Sequence, residues 1–281
     1  MPGGKGGSVP DGVLAKRVLT SLLIVTLVGI VVFLFPNWVY TILVSTLVGL
    51  GLSEFFQLVQ KKGIFVYKYF GVLIGMLTPA IIYLQMGTEG YFDLEPFFIV
   101  IACLFIFVLQ FTRRDSSQAL ASIAVMMFGL LYIAWFFSFF IKIKFLARGA
   151  FLVAFLVLVT KMGDIGAYSI GKRFGRHNLI PRISPNKTVE GTIGGLGASA
   201  LTAILSKAYL PNFSYSHLLT LGALLGVLAQ VGDLAESLLK RDCGVKDAGS
   251  SLSGFGGVLD LIDSLLFTTP IFYFYLKVVM R

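Results

Sequence analysis

"LTLGALLGVLAQVGDLAESLLKRD", residues 219–242, begins as a helix soluble in hydrocarbon and finishes as a charged one. Fourteen residues pass without a formal charge before Asp233, Glu236 and Lys240 arrive at spacing i, i+3, i+7. That spacing places all three on one face of a helix. An ionised side chain at the centre of a lone membrane helix costs ~2.5–3.5 kcal/mol. Three such groups in one apolar run therefore point to a site rather than to an accident of composition.

The rest of the chain is of the same kind. Of 281 residues, 57% are hydrophobic and 13% charged, and mean hydropathy is +0.88. Soluble globular chains are about 25% charged, so most of this surface meets lipid. The net charge of +9 does not indicate nucleic acid, because the basic residues sit in short loops between apolar runs. Cys103 and Cys243 have no metal-ligand spacing and suggest neither a disulfide framework nor a zinc site. Residues 1–11 are rich in Gly and Pro and read as part of a disordered N-terminus, 1–17. The apolar run 18–35 lacks a small-residue cleavage site and is followed at once by another span, so it reads as a retained anchor.

A membrane-crossing helix needs about 20 residues. Apolar runs predict nine such spans, near 18–35, 38–57, 64–85, 97–112, 119–141, 149–170, 191–210, 217–236 and 260–280. Runs of this length suit helices, not barrel strands, and no internal repeat stands out. The expected fold is an all-α polytopic membrane protein of about nine transmembrane helices. Residues 18–148 would form N-terminal helices and 149–281 a catalytic part with loops at 171–190 and 237–259. Lys and Arg fill the loops at 61–63, 112–115, 171–190 and 237–259, which favours a cytoplasmic N-terminus; Lys142, Lys144 and Arg148 fall on the wrong side. Pro36-Asn37 and Pro79 read as helix punctuation. Glu54 reads as an interface residue, Glu89, Asp93 and Glu95 as a solvated outer face, and His177 and His217 as solvated loop histidines.

Charged groups gather in the C-terminal half: Lys161, Asp164, Asp233, Glu236, Lys240, Asp260 and Asp263 all lie in or at the ends of spans. For Lys161 and Asp164 alone, a stabilising acid–base pair is an equally good account. For the whole set, carboxylates at one depth with lysines around them suit a hard cation and phosphate oxygens. Upstream, "GKRFGRHNLIPRISPNKTVEGTIGGLG", 171–197, has five Lys or Arg in its first seventeen residues. Ser184, Asn186, Lys187 and Thr188 come just before a predicted helix, whose N-terminus favours an anion. Gly191 and Gly195 form a small-xxx-small face better explained by helix packing.

Residues 237–264, "SLLKRDCGVKDAGSSLSGFGGVLDLIDS", resemble the C-terminal signature of the phosphatidate cytidylyltransferase (CDP-diacylglycerol synthase) family. Ser237, Lys240, Arg241, Lys246, Asp247, Gly256, Gly257, Asp260 and Asp263 match it in order and spacing. "QVGDLAES" (230–237), "GDIGAY" (163–168), "ISPNKTVEG" (183–191) and the N-terminal "SEFFQLV" (53–59) are similar to the same family. Three positions depart from it: Phe255 for the usual histidine, Leu261 for arginine and Ser253 for proline.

The resemblance implies transfer of CMP from CTP to phosphatidate, with Mg²⁺ and a possible second cation, by a homodimer in the bacterial inner membrane with its site facing the cytoplasm. It implies Asp233, Asp260 and Asp263 as metal ligands, and Asp233, Asp260, Lys240 and Lys246 as catalytic. Ser184, Asn186, Lys187, Thr188, Glu236, Arg241, Asp247, Gly256 and Gly257 are then assigned to substrate, Asp247 orienting a basic neighbour or touching the second cation. The alternatives are a CTP-dependent lipid-alcohol kinase and an ion-coupled transporter of a phosphorylated solute. A CDP-alcohol phosphotransferase would need an aspartate pattern that is missing.

Overall fold

The computed structural model describes residues 26–87, 94–246, 248–249 and 257–279. Eight long helices make up nearly all of it: α1 (Asn37–Lys61), α2 (Lys68–Gly87), α3 (Leu94–Phe111), α4 (Ala119–Lys144), α5 (Gly149–Phe174), α6 (Val189–Ala208), α7 (Tyr215–Asp242) and α8 (Val258–Val279). Each is long and apolar enough to cross a membrane. The first predicted span, 18–35, lies partly outside the described residues; its described part, 26–34, is helical. The protein is an all-α polytopic membrane protein.

Helix α3 shows why the solvent is lipid. Phe97, Leu104, Phe105 and Val108 face outward, while Ala102 and Ile106 are buried. Between helices in lipid there is little hydrophobic drive, so close packing of small residues carries more of the association. The contact of α5 with α6 is built that way. A Cβ on Gly195 would stand 2.9 Å from that of Ala167, and one on Gly191 would stand 2.8 Å from the Ala167 carbonyl oxygen. Buried Ser199 adds a hydrogen bond to the Val159 carbonyl at 3.1 Å.

Several expectations need correcting. Pro79 does not end a helix but lies buried inside α2, four residues after Gly75, whose missing side chain lets Leu52 of α1 pack close. The loops 171–190 and 237–259 are shorter than expected. Helix α5 continues to Phe174, α6 starts at Val189, α7 continues to Asp242 and α8 starts at Val258. Charge ends an apolar run but not a helix, since Lys, Arg and Asp in a final turn can reach water or a charged partner. An antiparallel hairpin, β1 (Asn178–Ile180) with β2 (Ser184–Thr188), occupies the first of these connections.

Glu95 is not on a solvated face. It lies in the first turn of α3, 8% exposed, with Lys142 Nζ 2.6 Å from Oε2 and Trp135 Nε1 donating to Oε1 at 2.5 Å. Trp135 ends a π-helical turn, Leu130–Trp135, that interrupts α4. Lys144 donates to the Val32 carbonyl. The two lysines that broke the charge pattern are thus engaged inside the bundle rather than lining a loop. His217 belongs to the first turn of α7, with Nδ1 2.8 Å from the Tyr275 hydroxyl. Cys103 and Cys243 are free thiols, and burial together with the Asp242 carboxylate pushes the Cys243 thiol up.

Candidate active site

The connections α1–α2, α3–α4, α5–α6 and α7–α8 share one end of the bundle. There Lys62 forms an ion pair with Asp242, and the Phe65 N–H donates to Gln118 Oε1. The site is at this end, between the last turns of α7 and the first turns of α8. Gly232 makes it possible: a Cβ there would stand 2.7 Å from the Asp263 carbonyl oxygen. The two backbones therefore meet one residue before Asp233.

Asp233, Glu236 and Asp263 converge, with one carboxylate oxygen from each lying within 4.8 Å of the others. Glu236 is 1% exposed and Asp263 6%. Lysines border the cluster. Lys240 Nζ is 2.6 Å from Glu236 Oε2 and 2.6 Å from Asp260 Oδ1, and Lys187 Nζ reaches Asp233 Oδ2 at 2.7 Å from the hairpin. Glu236 Oε1 is buried without a hydrogen-bond partner among the described residues. Three hard oxygen donors, one of them with an unmet acceptor, fit a divalent cation and not a soft metal.

This grouping differs from the sequence reading in one respect. Glu236, assigned to substrate, lies with Asp233 and Asp263, whereas Asp260 is beside that trio and joined to it through Lys240. Asp260 Oδ2 accepts the N–H of Gly257 at 2.7 Å and of Ala248 at 3.3 Å, and Oδ1 takes Lys240. One oxygen is thus spent on the turn that begins α8 and the other on Lys240.

Thr188 is the N-cap of α6, its Oγ1 accepting the Gly191 N–H at 3.1 Å, so its hydroxyl oxygen is engaged in capping. Ser184 opens β2, and Asn186 is exposed on the same strand. Arg241 Nε donates to the Ile183 carbonyl at 3.3 Å, which ties α7 to the hairpin. Lys246 is exposed in the α7–α8 connection. Asp247 and Gly256, with Ser253 and Phe255, lie outside the described residues. His177 is exposed yet not free, because its Nδ1 lies 2.6 Å from Glu190 Oε1.

Two features were missed or undervalued. Lys161 donates to Ser264 Oγ at 2.8 Å and to Asp164 Oδ2 at 3.1 Å, and Ser264 Oγ donates to Asp164 Oδ2 at 3.0 Å. The pair on α5, which the sequence offered as a stabilising acid–base pair, is thereby fastened to the residue after Asp263. Glu54, read as an interface residue, is 2% exposed and accepts the Leu259 N–H at 2.8 Å.

Residues 15–279 match the cytidylyltransferase family. The chain belongs to that family. Cytidylyltransferase relatives cover nearly its whole length. A phosphatidate cytidylyltransferase of Bacillus subtilis is 33% identical over 269 residues, 93% of this chain and 97% of the relative. One from Synechocystis sp. is 31% identical over 274 residues, 87% of this chain and 90% of the relative. One from Staphylococcus aureus is 32% identical over 249 residues, 86% and 88% respectively. In a cytidylyltransferase, a carboxylate cluster bordered by lysines is chemically suited to a divalent cation and nucleotide phosphates.

Proposed function

We propose that this protein is a phosphatidate cytidylyltransferase, converting CTP and phosphatidate to CDP-diacylglycerol and diphosphate. Beyond family membership, the observation that carries this reading is the three-carboxylate cluster with Lys187 and Lys240 on its border, at the end of two membrane helices. An oxygen of the lipid phosphate attacks the α-phosphorus of CTP, and the bond from that phosphorus to the bridging oxygen of the leaving diphosphate breaks. Phosphatidate is already anionic, so no strong base is needed, and the protein's task is positioning and charge neutralisation.

Asp233, Glu236 and Asp263 would hold the divalent cation, for which we propose Mg²⁺ from the hardness of the donors. When bound, that cation polarises the phosphorus centre and neutralises charge on the leaving diphosphate. Lys240 and Lys187 bring ammonium groups to the same cluster and would bind phosphate oxygens there. Arg241 and Lys246, on the water side, would bind the outer phosphates. Asp260 keeps Lys240 in place and holds the turn before α8. Because CTP is a cytoplasmic solute, the site end faces the cytoplasm of a bacterial inner membrane in this reading.

The test is direct. Detergent-purified protein is incubated with labelled CTP, phosphatidate and Mg²⁺, and a labelled CDP-lipid is expected. CTP consumption with a lipid alcohol and none with phosphatidate would reject the reading in favour of a kinase.

A further inference from the structure

Glu54 sits on α1, in the part of the chain that carries none of the site residues described above. A buried carboxylate in an apolar helix is costly unless it does something there. One turn earlier on α1, the contact with α8 is ordinary packing, with Gly51 against Ile262. At Glu54 it becomes polar. Oε2 accepts the Leu259 N–H at 2.8 Å, in the first turn of α8 and 205 residues away. Two glycines close around the carboxylate: a Cβ on Gly249 would stand 2.7 Å from Oε1, and one on Gly257 would collide with Oε2. Asp260 holds the same backbone from within α8, through the N–H groups of Gly257 and Ala248. Two carboxylates from opposite halves of the chain thus share the free N–H groups that begin α8.

We propose that Glu54 is a positioning residue for the nucleotide site. It clamps the backbone at Gly249 and at 257–259, and so fixes Asp260 against Lys240 and the connection that carries Lys246. Gly257 then lacks a side chain in order to admit Glu54, and not to let a phosphate approach. The proposal rests on the functional reading above and deepens it.

The experiment uses the full chain in detergent and three substitutions. Glu54→Ala removes the clamp, Glu54→Gln keeps one acceptor for Leu259, and Gly249→Ala sets a methyl group against the carboxylate. Loss of folded protein lowers the maximal rate but leaves KM unchanged, whereas misplacement of the connection raises the KM for CTP. Glu54→Ala is expected to raise that KM about tenfold or more with little change for phosphatidate. Glu54→Gln should return it to within about threefold of the parent.

Gly249→Ala should raise the CTP KM on its own, and add nothing in the Glu54→Ala background, where the carboxylate it strikes is gone. It also serves as the deciding variant if Glu54→Ala does not fold. Amide hydrogen exchange gives a readout independent of turnover: Glu54→Ala should speed exchange across 257–259 and leave α5 and α6 unchanged. An unchanged CTP KM in Glu54→Ala and in Gly249→Ala, or unchanged exchange at Leu259 in Glu54→Ala, overturns the proposal. If the parent protein makes no CDP-lipid, the functional reading fails by itself, and exchange at Leu259 still decides whether the clamp exists.

Discussion

Two buried acid–base clusters occupy opposite ends of this bundle, and they are built on opposite principles. At one end, Glu95 is matched oxygen by oxygen: Lys142 approaches both carboxylate oxygens and Trp135 donates to one of them. At the other, Asp233, Glu236 and Asp263 crowd together with Asp260 beside them, and Lys187 and Lys240 border the group. Lys161 and Asp164 add a self-balanced pair at its edge. The first cluster is complete and stabilises packing between α3 and α4. The second carries more carboxylates than ammonium groups and an acceptor without a donor, which is the imbalance the proposed cation would offset. Burial and charge are common to both; the surplus of carboxylates over ammonium groups is what sets the second apart.

The largest effect should come from the second cluster. Asp263→Asn is expected to lower turnover about a hundredfold or more, with normal membrane insertion, and Asp260→Asn to do the same by freeing Lys240 and the turn before α8. Near-normal turnover of either at ordinary Mg²⁺ would break the assignment. The next test contrasts signs. Lys142→Met leaves Glu95 buried without its ion-pair partner and should cost about 3–5 kcal/mol of stability, while turnover per folded molecule is unchanged. Glu236→Gln removes surplus negative charge, so unfolding in detergent without divalent cation should occur at the same or a higher temperature, and the stabilisation that Mg²⁺ gives the parent should disappear. If both substitutions destabilise alike, the two clusters are of one kind and the comparison fails. The smallest effect concerns the departures from the family pattern. Phe255→His with Leu261→Arg should shift the phosphatidate KM a few-fold, about 1 kcal/mol, and the CTP KM less. An inactive parent rescued only by that double substitution would mean that the departures had disabled the site.

How much of this was legible in the sequence follows from distance along the chain. The shared face of Asp233, Glu236 and Lys240 depends only on helical periodicity, and the structure has it. That Asp263, and not Asp260, completes the trio with Asp233 and Glu236 depends on how α7 and α8 meet at Gly232, which no spacing encodes. Helix ends were misjudged wherever charge was taken as the end of a helix, as at Lys240 and Arg241. Glu95 and Glu54 were misread for one reason: their partners, Lys142 and Leu259, are 47 and 205 residues away. A lone acid in an apolar run shows that a partner must exist, but not which one.

The overrun of α7 past its apolar stretch has a consequence for traffic. A 28-residue helix is about 42 Å long, against a hydrocarbon thickness of about 30 Å. The surplus lies beyond the uncharged run, so the turns bearing Asp233, Glu236 and Lys240 reach the headgroup layer. A reactant dissolved in water and one anchored by acyl chains can therefore meet without either changing phase. The hydrophilic nucleotide need not be drawn into oil, the diacyl chains need not leave it, and the product remains in the leaflet where its next enzyme would find it.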